Sequence, residues 1–150
     1  MECPEVSPGL RKEKYMELIH GDILHQALDK SYRVYLCGDL KKPQELEWIY
    51  DAKNEIGISL YKHFTADHPH FHTNATEYNY IISGSSKILL IDEQKEITLE
   101  AGSIFVIPPL TRYASKHQAG TQILFFKSPG GNDKELIDAT ESLQMWIQSW

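Results

Sequence analysis

The sequence predicts an all-β fold, an antiparallel barrel or sandwich. Between Trp48 and Ser128, short runs rich in Ile, Val, Tyr, Phe and Thr recur at 47–53, 56–64, 70–72, 77–84, 86–92, 96–100, 103–108, 112–117 and 121–128. Turn-forming residues separate them: Asn54, Asp67-His68-Pro69, Ser83-Gly84, Asp92-Glu93, Ala101-Gly102, Pro108-Pro109 and Ala119-Gly120. Many short strands punctuated in this way are the mark of a hairpin-built sheet. No repeat of about 20–50 residues, the period of solenoids and propellers, is visible.

The N-terminal third differs. Residues 1–9 (MECPEVSPG) carry two prolines and a glycine and read as a loose arm. Tyr15, Leu18 and Ile19 predict a short helix over 10–20, stopped by Gly21. A second short helix is expected over 22–30, with Ile23, Leu24, Ala27 and Leu28 on one face. Residues 32–37 form a β-rich run closed by Gly38-Asp39, and 41–47 a polar connector containing Pro43. Helices first and strands later make residues 1–47 a cap or lid, 48–128 the barrel and 132–150 a C-terminal helix, all in one domain spanning 1–150. Asn132 and Glu135 resemble a capping box at the start of that helix. Leu136, Ala139, Leu143, Trp146 and Trp150 make one stripe at helical spacing, which packs on the barrel or on a second subunit.

Composition narrows the function classes. The 150 residues suffice for a buried core, and 41% hydrophobic with 24% charged residues is ordinary for a soluble globular protein. A net charge of −6 without clustered Lys and Arg argues against nucleic acid as a partner. No apolar run approaches the roughly 18 residues of a membrane span, and the first residues do not form a signal peptide, so no membrane partner is expected. Cys3 and Cys37 make neither a disulfide framework nor a C-x-x-C motif, which points to the cytoplasm.

The chemistry concentrates in one stretch, since four of the 7 histidines lie between His63 and His72. Residues two apart on a strand share a face, so His70 and His72 project side by side into one cavity, where imidazole nitrogens suit Fe, Mn, Zn, Ni or Cu. Glu77 follows after a short turn and adds an anionic oxygen. Gly84, followed by Ser85 and Ser86, reads as a tight hairpin turn.

The spacing His70-x-His72-x4-Glu77-x6-Gly84 resembles the first motif of the cupins, small β-barrels that hold a metal in the barrel mouth. Their second motif, G-x5-P-x-G-x2-H, is matched at Gly102 and Pro108, but Leu110 stands at its glycine and Tyr113 at its third metal-ligating histidine. The two motifs cover about a third of the chain. The resemblance implies a double-stranded β-helix, or jelly roll, with short N-terminal helices and a C-terminal helix. It also implies one transition metal ion (Fe, Mn, Zn or Ni) on His70, His72 and Glu77. Tyr113 is a fourth ligand as phenolate, a hydrogen-bond donor beside an open coordination position, or barrel filling.

Other residues take their places by strand parity. Asn79 and Ile81 continue the inward face of Glu77, making Asn79 a substrate contact, while Tyr78, Tyr80 and Ile82 face outward. Ile88, Leu90, Phe105 and Ile107 fill the barrel, and Cys37 is a small buried apolar residue. His68 shares the parity of His70 but belongs to the rim. His63, on the neighbouring strand, and His117 are candidate bases. His117 lies about 13 Å beyond Tyr113 on a regular strand, too far to ligate unless a bulge intervenes. Residues 128–131 form a turn into the last helix.

Three functions are compatible with these residues. The first is a metal-dependent oxygenase, isomerase or hydrolase acting on a small-molecule metabolite, with Tyr113 as proton donor or anion stabiliser. The second is a cupin that binds or senses a sugar or other metabolite without turnover, which the loss of the second-motif histidine favours. The third is a metal-free epimerase-like cupin using His and Tyr, against which Glu77 at metal spacing counts. Apolar strand faces and the C-terminal stripe predict a homodimer.

Overall fold

The computed structural model describes residues 10–13 and 16–150, with side chains from Met16 onward. Two short strands, β1 (Leu10–Glu13) and β2 (Met16–Ile19), precede α1 (Gly21–Lys30). Then come β3 (Arg33–Gly38), β4 (Ile49–Tyr50), β5 (Glu55–Tyr61), β6 (Thr65–His72), β7 (Thr76–Ser83) and β8 (Ser85–Leu90). The chain ends with β9 (Lys95–Glu100), β10 (Ile104–Ile107), β11 (Tyr113–His117), β12 (Thr121–Ser128), β13 (Lys134–Leu136) and α2 (Glu141–Gln148). A six-stranded sheet of order β10-β7-β12-β5-β3-β4 faces a five-stranded sheet of order β13-β6-β11-β8-β9, and their inner faces make a jelly roll. All pairings are antiparallel except β3 with β4. Apolar side chains of both sheets meet inside, with Ile88 and Tyr113 of one packed against Ile107 of the other.

The strand runs expected between 56 and 128 are present as β5 to β12, and four parts of the sequence reading are corrected. Residues 10–13 and 16–19 are strands where a helix over 10–20 is expected: β1 and β2 pair from Leu10↔Ile19 to Glu13↔Met16, and Ile19 packs against the core cluster under α1. So few apolar residues give a helix no face to bury, and pairing wins. Tyr15 and the expected arm at 1–9 lie outside the described residues. Second, β3 pairs with β5 inside the larger sheet, so the barrel wall starts at Arg33 and only the segment before it lies outside. Alternation along β3 sends Val34 and Leu36 outward under α1, whose Leu28 is buried against Val34 and Ile58.

Third, the C-terminal helix begins at Glu141, not Asn132. Residues 134–136 extend the five-stranded sheet beside β6, which outcompetes the short helical pattern there. Thr140 is the N-cap, accepting a hydrogen bond from Leu143 N (3.2 Å). Lys116, outward on β11, donates to the carbonyls of Trp146 and Ser149 (both 2.8 Å), closing the other end of α2 against the barrel. Leu136, assigned to the helical stripe, is on β13 and exposed.

Fourth, Asp67-His68-Pro69 is not a turn, because β6 runs through it. The register changes there: Tyr113 pairs with His70, yet Ser115 pairs with Asp67, so β6 carries one residue more than β11. Bulges are among the few places where a strand accepts proline. On the other side of β6, Pro69 O accepts from Ile137 N (2.9 Å), but proline has no N–H to return. His68 Nε2 supplies that donor to the Ile137 carbonyl (2.9 Å). Among the described residues no helix is long and apolar enough to cross a membrane.

Two turns show how tightly the backbone is set. Gly84 joins β7 to β8 at φ +80°, and a Cβ there would lie 2.5 Å from Thr121 Cα. Leu110 has φ +65°, and its N–H donates to His72 O (2.7 Å), tying the turn to the end of β6. Leu110 thus holds a left-handed conformation that glycine adopts without penalty. Its side chain is 65% exposed and gives little packing in return. Leu110→Gly is expected to stabilise the fold by about 0.5–1 kcal/mol, and Gly84→Ala to destabilise it by about 2–3 kcal/mol, both measured by urea denaturation.

Candidate functional site

A cavity of about 80 Å³ lies between the two sheets. The bulge in β6 points Asp67 inward together with His70 and His72, and turns His68 out to β13. β11 presents Tyr113, Ser115 and His117 to the same space, β7 presents Glu77 and Asn79, and β3 and β5 supply Arg33, Ser59 and Tyr61 from the opposite wall. Gly57 makes room on β5, because any Cβ there would collide with the Phe125 ring.

At one end His70, His72, Glu77, Asn79 and Tyr113 stand together. His70 Nδ1–H donates to the His68 carbonyl (2.7 Å), which leaves Nε2 as the lone-pair nitrogen. Burial lowers the His70 pKa to about 4, so the ring is neutral. His72 Nδ1–H donates to Asp133 Oδ1 (2.8 Å). Its Nε2 is buried and lies 3.3 Å from Glu77 Oε2, at ion-pair distance but without the alignment of a hydrogen bond. Burial opposes charge on His72, but Glu77 and Asp133 outweigh it and raise the pKa. Burial likewise works against the Glu77 carboxylate, and His72 more than offsets it, so the carboxyl stays below its usual range. Asn79 Nδ2 donates to Glu77 Oε1 (3.1 Å). The Tyr113 ring sits 4.6 Å from that of His70. Burial, then the Glu77 charge, raise the Tyr113 pKa well above 10.0, so the side chain is a neutral phenol.

These residues meet part of what a metal ion requires. A histidine whose far nitrogen is fixed by a carboxylate and whose near nitrogen faces a second carboxylate is the usual setting of a metal ligand. Convergence stops at two groups: among the described residues no three His, Cys, Asp or Glu side chains are arranged to hold one ion.

At the other end a second polar cluster holds Arg33, Tyr61, Asp67, Ser115 and His117. His117 stacks on Tyr61 at 4.2 Å, with Nδ1 hydrogen-bonded to Ser86 Oγ (2.8 Å) and Nε2 3.5 Å from Asp67 Oδ2. That Nε2 is also buried without a hydrogen-bond partner. Ser115 Oγ donates to Asp67 (3.2 Å), and Arg33 Nη2 lies 3.8 Å from it. His117 therefore reaches the cavity, but from the far end of β11, where it pairs with Thr65 rather than His70.

Of the residues expected at the site, His70, His72, Glu77, Asn79, Tyr113 and His117 share the cavity. His63 does not: it is exposed after β5 and borders a surface groove with Tyr32 and Lys62. The groove shares a wall, Tyr61, with the cavity, yet His63 is on the outer side, which removes it as the base. Three residues escaped the sequence reading. Asp133 sits in the loop before β13, where the sequence predicts the last helix. Asp67 was hidden by the supposed turn. Arg33 carried a visible signal, a charge on the inward parity of an otherwise apolar strand.

Burial raises the Asp67 carboxyl, but His117 and Arg33 more than reverse this and hold it well below the usual range. A group whose folded pKa is depressed stabilises above its unfolded pKa of about 4 and loses that stabilisation as pH falls. Asp67→Asn is therefore expected to cost about 2–3 kcal/mol at pH 7 by urea denaturation, with the gap to wild type narrowing below pH 4.

No curated protein matches the sequence. Among solved structures, the polyketide cyclase RemF from Streptomyces resistomycificus is 15% identical, covering 66% of this chain and 70% of its own, with a TM-score of 0.52. Streptomyces PAC13 with uridine, described as a nucleoside dehydratase, is 17% identical over 61% of this chain and 75% of its own, TM-score 0.51. A Klebsiella pneumoniae protein with a double-stranded β-helix domain is 16% identical over 58% and 76%, TM-score 0.50. At such identities these neighbours speak for the fold alone. The sequence model of the cupins matches residues 54–146, most of the barrel and α2. This chain belongs to the cupin family.

Proposed function

We propose that the barrel binds a small-molecule metabolite and acts on it as a metal-dependent oxygenase, isomerase or hydrolase, with His70, His72 and Glu77 as the ion's ligands. The supporting observation is the buried His72 Nε2, without a hydrogen-bond partner and 3.3 Å from Glu77, while Asp133 fixes the opposite nitrogen. Imidazole and carboxylate donors suit Fe, Mn, Zn or Ni. Such an ion supplies Lewis acidity, polarising a ligand oxygen or acidifying a water. Asn79 steadies the Glu77 carboxylate and its amide borders the ligand space. Tyr113, a neutral phenol with no hydrogen-bond partner among the described residues, donates to the ligand rather than joining the ligand set. His117 is the remaining candidate base, with Asp67 beside its Nε2. The fold's occurrence in proteins described as a polyketide cyclase and a nucleoside dehydratase agrees with small-molecule chemistry. A cupin that binds its metabolite without turnover is the second reading, favoured by the convergence of two donors rather than three. We place the protein in the cytoplasm, where Cys37 stays a free thiol.

A homodimer completes the proposal. α1 covers the β3–β5 side of the larger sheet's outer surface, while β7 and edge strand β10 keep Tyr78, Tyr80, Ile82, Ile104 and Val106 exposed there. Val106 lies opposite Tyr78 and Ile104 opposite Tyr80, so the patch is contiguous and ends on an unpaired edge.

Elemental analysis of protein purified without a metal-affinity tag is expected to give about one equivalent of one transition metal, lost in His72→Ala and Glu77→Ala and retained in Tyr113→Phe. No metal after Fe, Mn, Zn and Ni are added back would leave the non-catalytic reading. Light scattering is expected to give twice the 17.3 kDa chain mass, and Ile104→Lys a folded monomer.

A further inference from the structure

Arg33 is the charged residue that β3 turns into the barrel. Its Nε donates to Ser59 Oγ (2.9 Å) and its Nη2 to the Tyr61 hydroxyl (3.0 Å). Asp67 is the nearest carboxylate, and at 3.8 Å it lies beyond hydrogen-bond reach of Nη2. Nη1 has no partner among the described residues. The side chain is 23% exposed and lines the cavity. Two neutral hydroxyls, the Asp67 carboxylate at ion-pair distance and the faces of Tyr32 and Phe125, 5.3 and 5.5 Å from the guanidinium carbon, hold the group in place. An edge of N–H donors is left open. Lys127, also on the wall, is committed to the Gly131 carbonyl (2.6 Å) and to Glu55 (3.5 Å). Lys134, on β13 opposite His72, is exposed and also lines the cavity, on the side of the histidines.

A guanidinium fixed by its neighbours, with one edge open, matches a planar carboxylate. A space of about 80 Å³ suits a ligand of few heavy atoms. Ile88, Ile107 and Ile123 supply apolar lining to the same cavity. We propose that the ligand is a small carboxylic acid, its carboxylate on the open edge of Arg33 and its hydroxyl or carbonyl oxygen toward His70, His72 and Glu77. This rests on the reading of the cavity as a small-molecule site and does not require the metal.

The test is calorimetric titration with lactate, pyruvate and malonate, each against its neutral amide, on metal-stripped protein and again after metal is added back. At least one acid is expected to bind while its amide binds about 10-fold more weakly or not at all, in a comparison that needs no variant. Arg33→Gln and Arg33→Lys are expected to weaken that acid by about 10-fold or more, the lysine because a point charge offers no fork, and Lys134→Gln by less than about 2-fold. Binding of no acid, equal binding of acid and amide, or a loss in Lys134→Gln rather than at Arg33 would overturn the proposal. Arg33-dependent binding that added metal does not tighten would sink the metal reading and leave this one standing.

Discussion

The extra residue of β6 at His68-Pro69 governs the composition of the cavity. On a regular strand His68, His70 and His72 would share one face and Asp67 would be outside. The bulge changes the parity between Asp67 and His70, so a carboxylate enters the barrel and His68 leaves it. His68 then becomes structural, donating to the Ile137 carbonyl that Pro69 cannot serve. That contact seats the chain just beyond β13, whose preceding loop carries Asp133, the residue that orients His72. One irregularity thus sets the ligand candidates, their support and the polar cluster at the far end.

Charge is the second organising theme. Arg33, Glu55, Asp67, Glu77 and Lys127 all border a cavity within the barrel, and burying ions is costly unless they are paired and hydrogen-bonded. Most of the cost is met locally: Lys127 by Glu55 and Gly131, Asp67 by Ser115 and Arg33, Asp133 by the backbone N–H groups of Asn74 and Ala75. The exceptions mark the site. Among the described residues His72 Nε2 and His117 Nε2 are the fully buried side-chain atoms without a hydrogen-bond partner, and both face the cavity that Arg33 and Tyr113 line.

The outer layers follow from strand alternation. α1 and α2 each cover one sheet, and both depend on residues whose neighbours point inward: Val34 beside Arg33, and Lys116 between Ser115 and His117. The same strands therefore fasten the helices and supply the cavity, so the side chains that line the site are carried mainly on strands.

The sequence by itself determined the barrel. Period-2 patterning and turn residues located β5, the end of β6 and β7 to β12, because local chemistry specifies a strand half buried against a core. It also brought His70, His72 and Glu77 together and separated Asn79 from Tyr78 and Tyr80, since parity holds wherever a strand is regular. Tertiary structure decided the rest. Leu10–Glu13 paired with Met16–Ile19, and 134–136 became a strand because β6, a partner distant in sequence, outweighed a weak helical pattern. Asp67, Asp133 and Arg33 joined the site through a bulge, a loop and the opposite sheet, and none of these is encoded in the spacing around the histidines. His63 was lost from it because the Tyr61 ring lies between its groove and the cavity, a separation only the packed barrel creates.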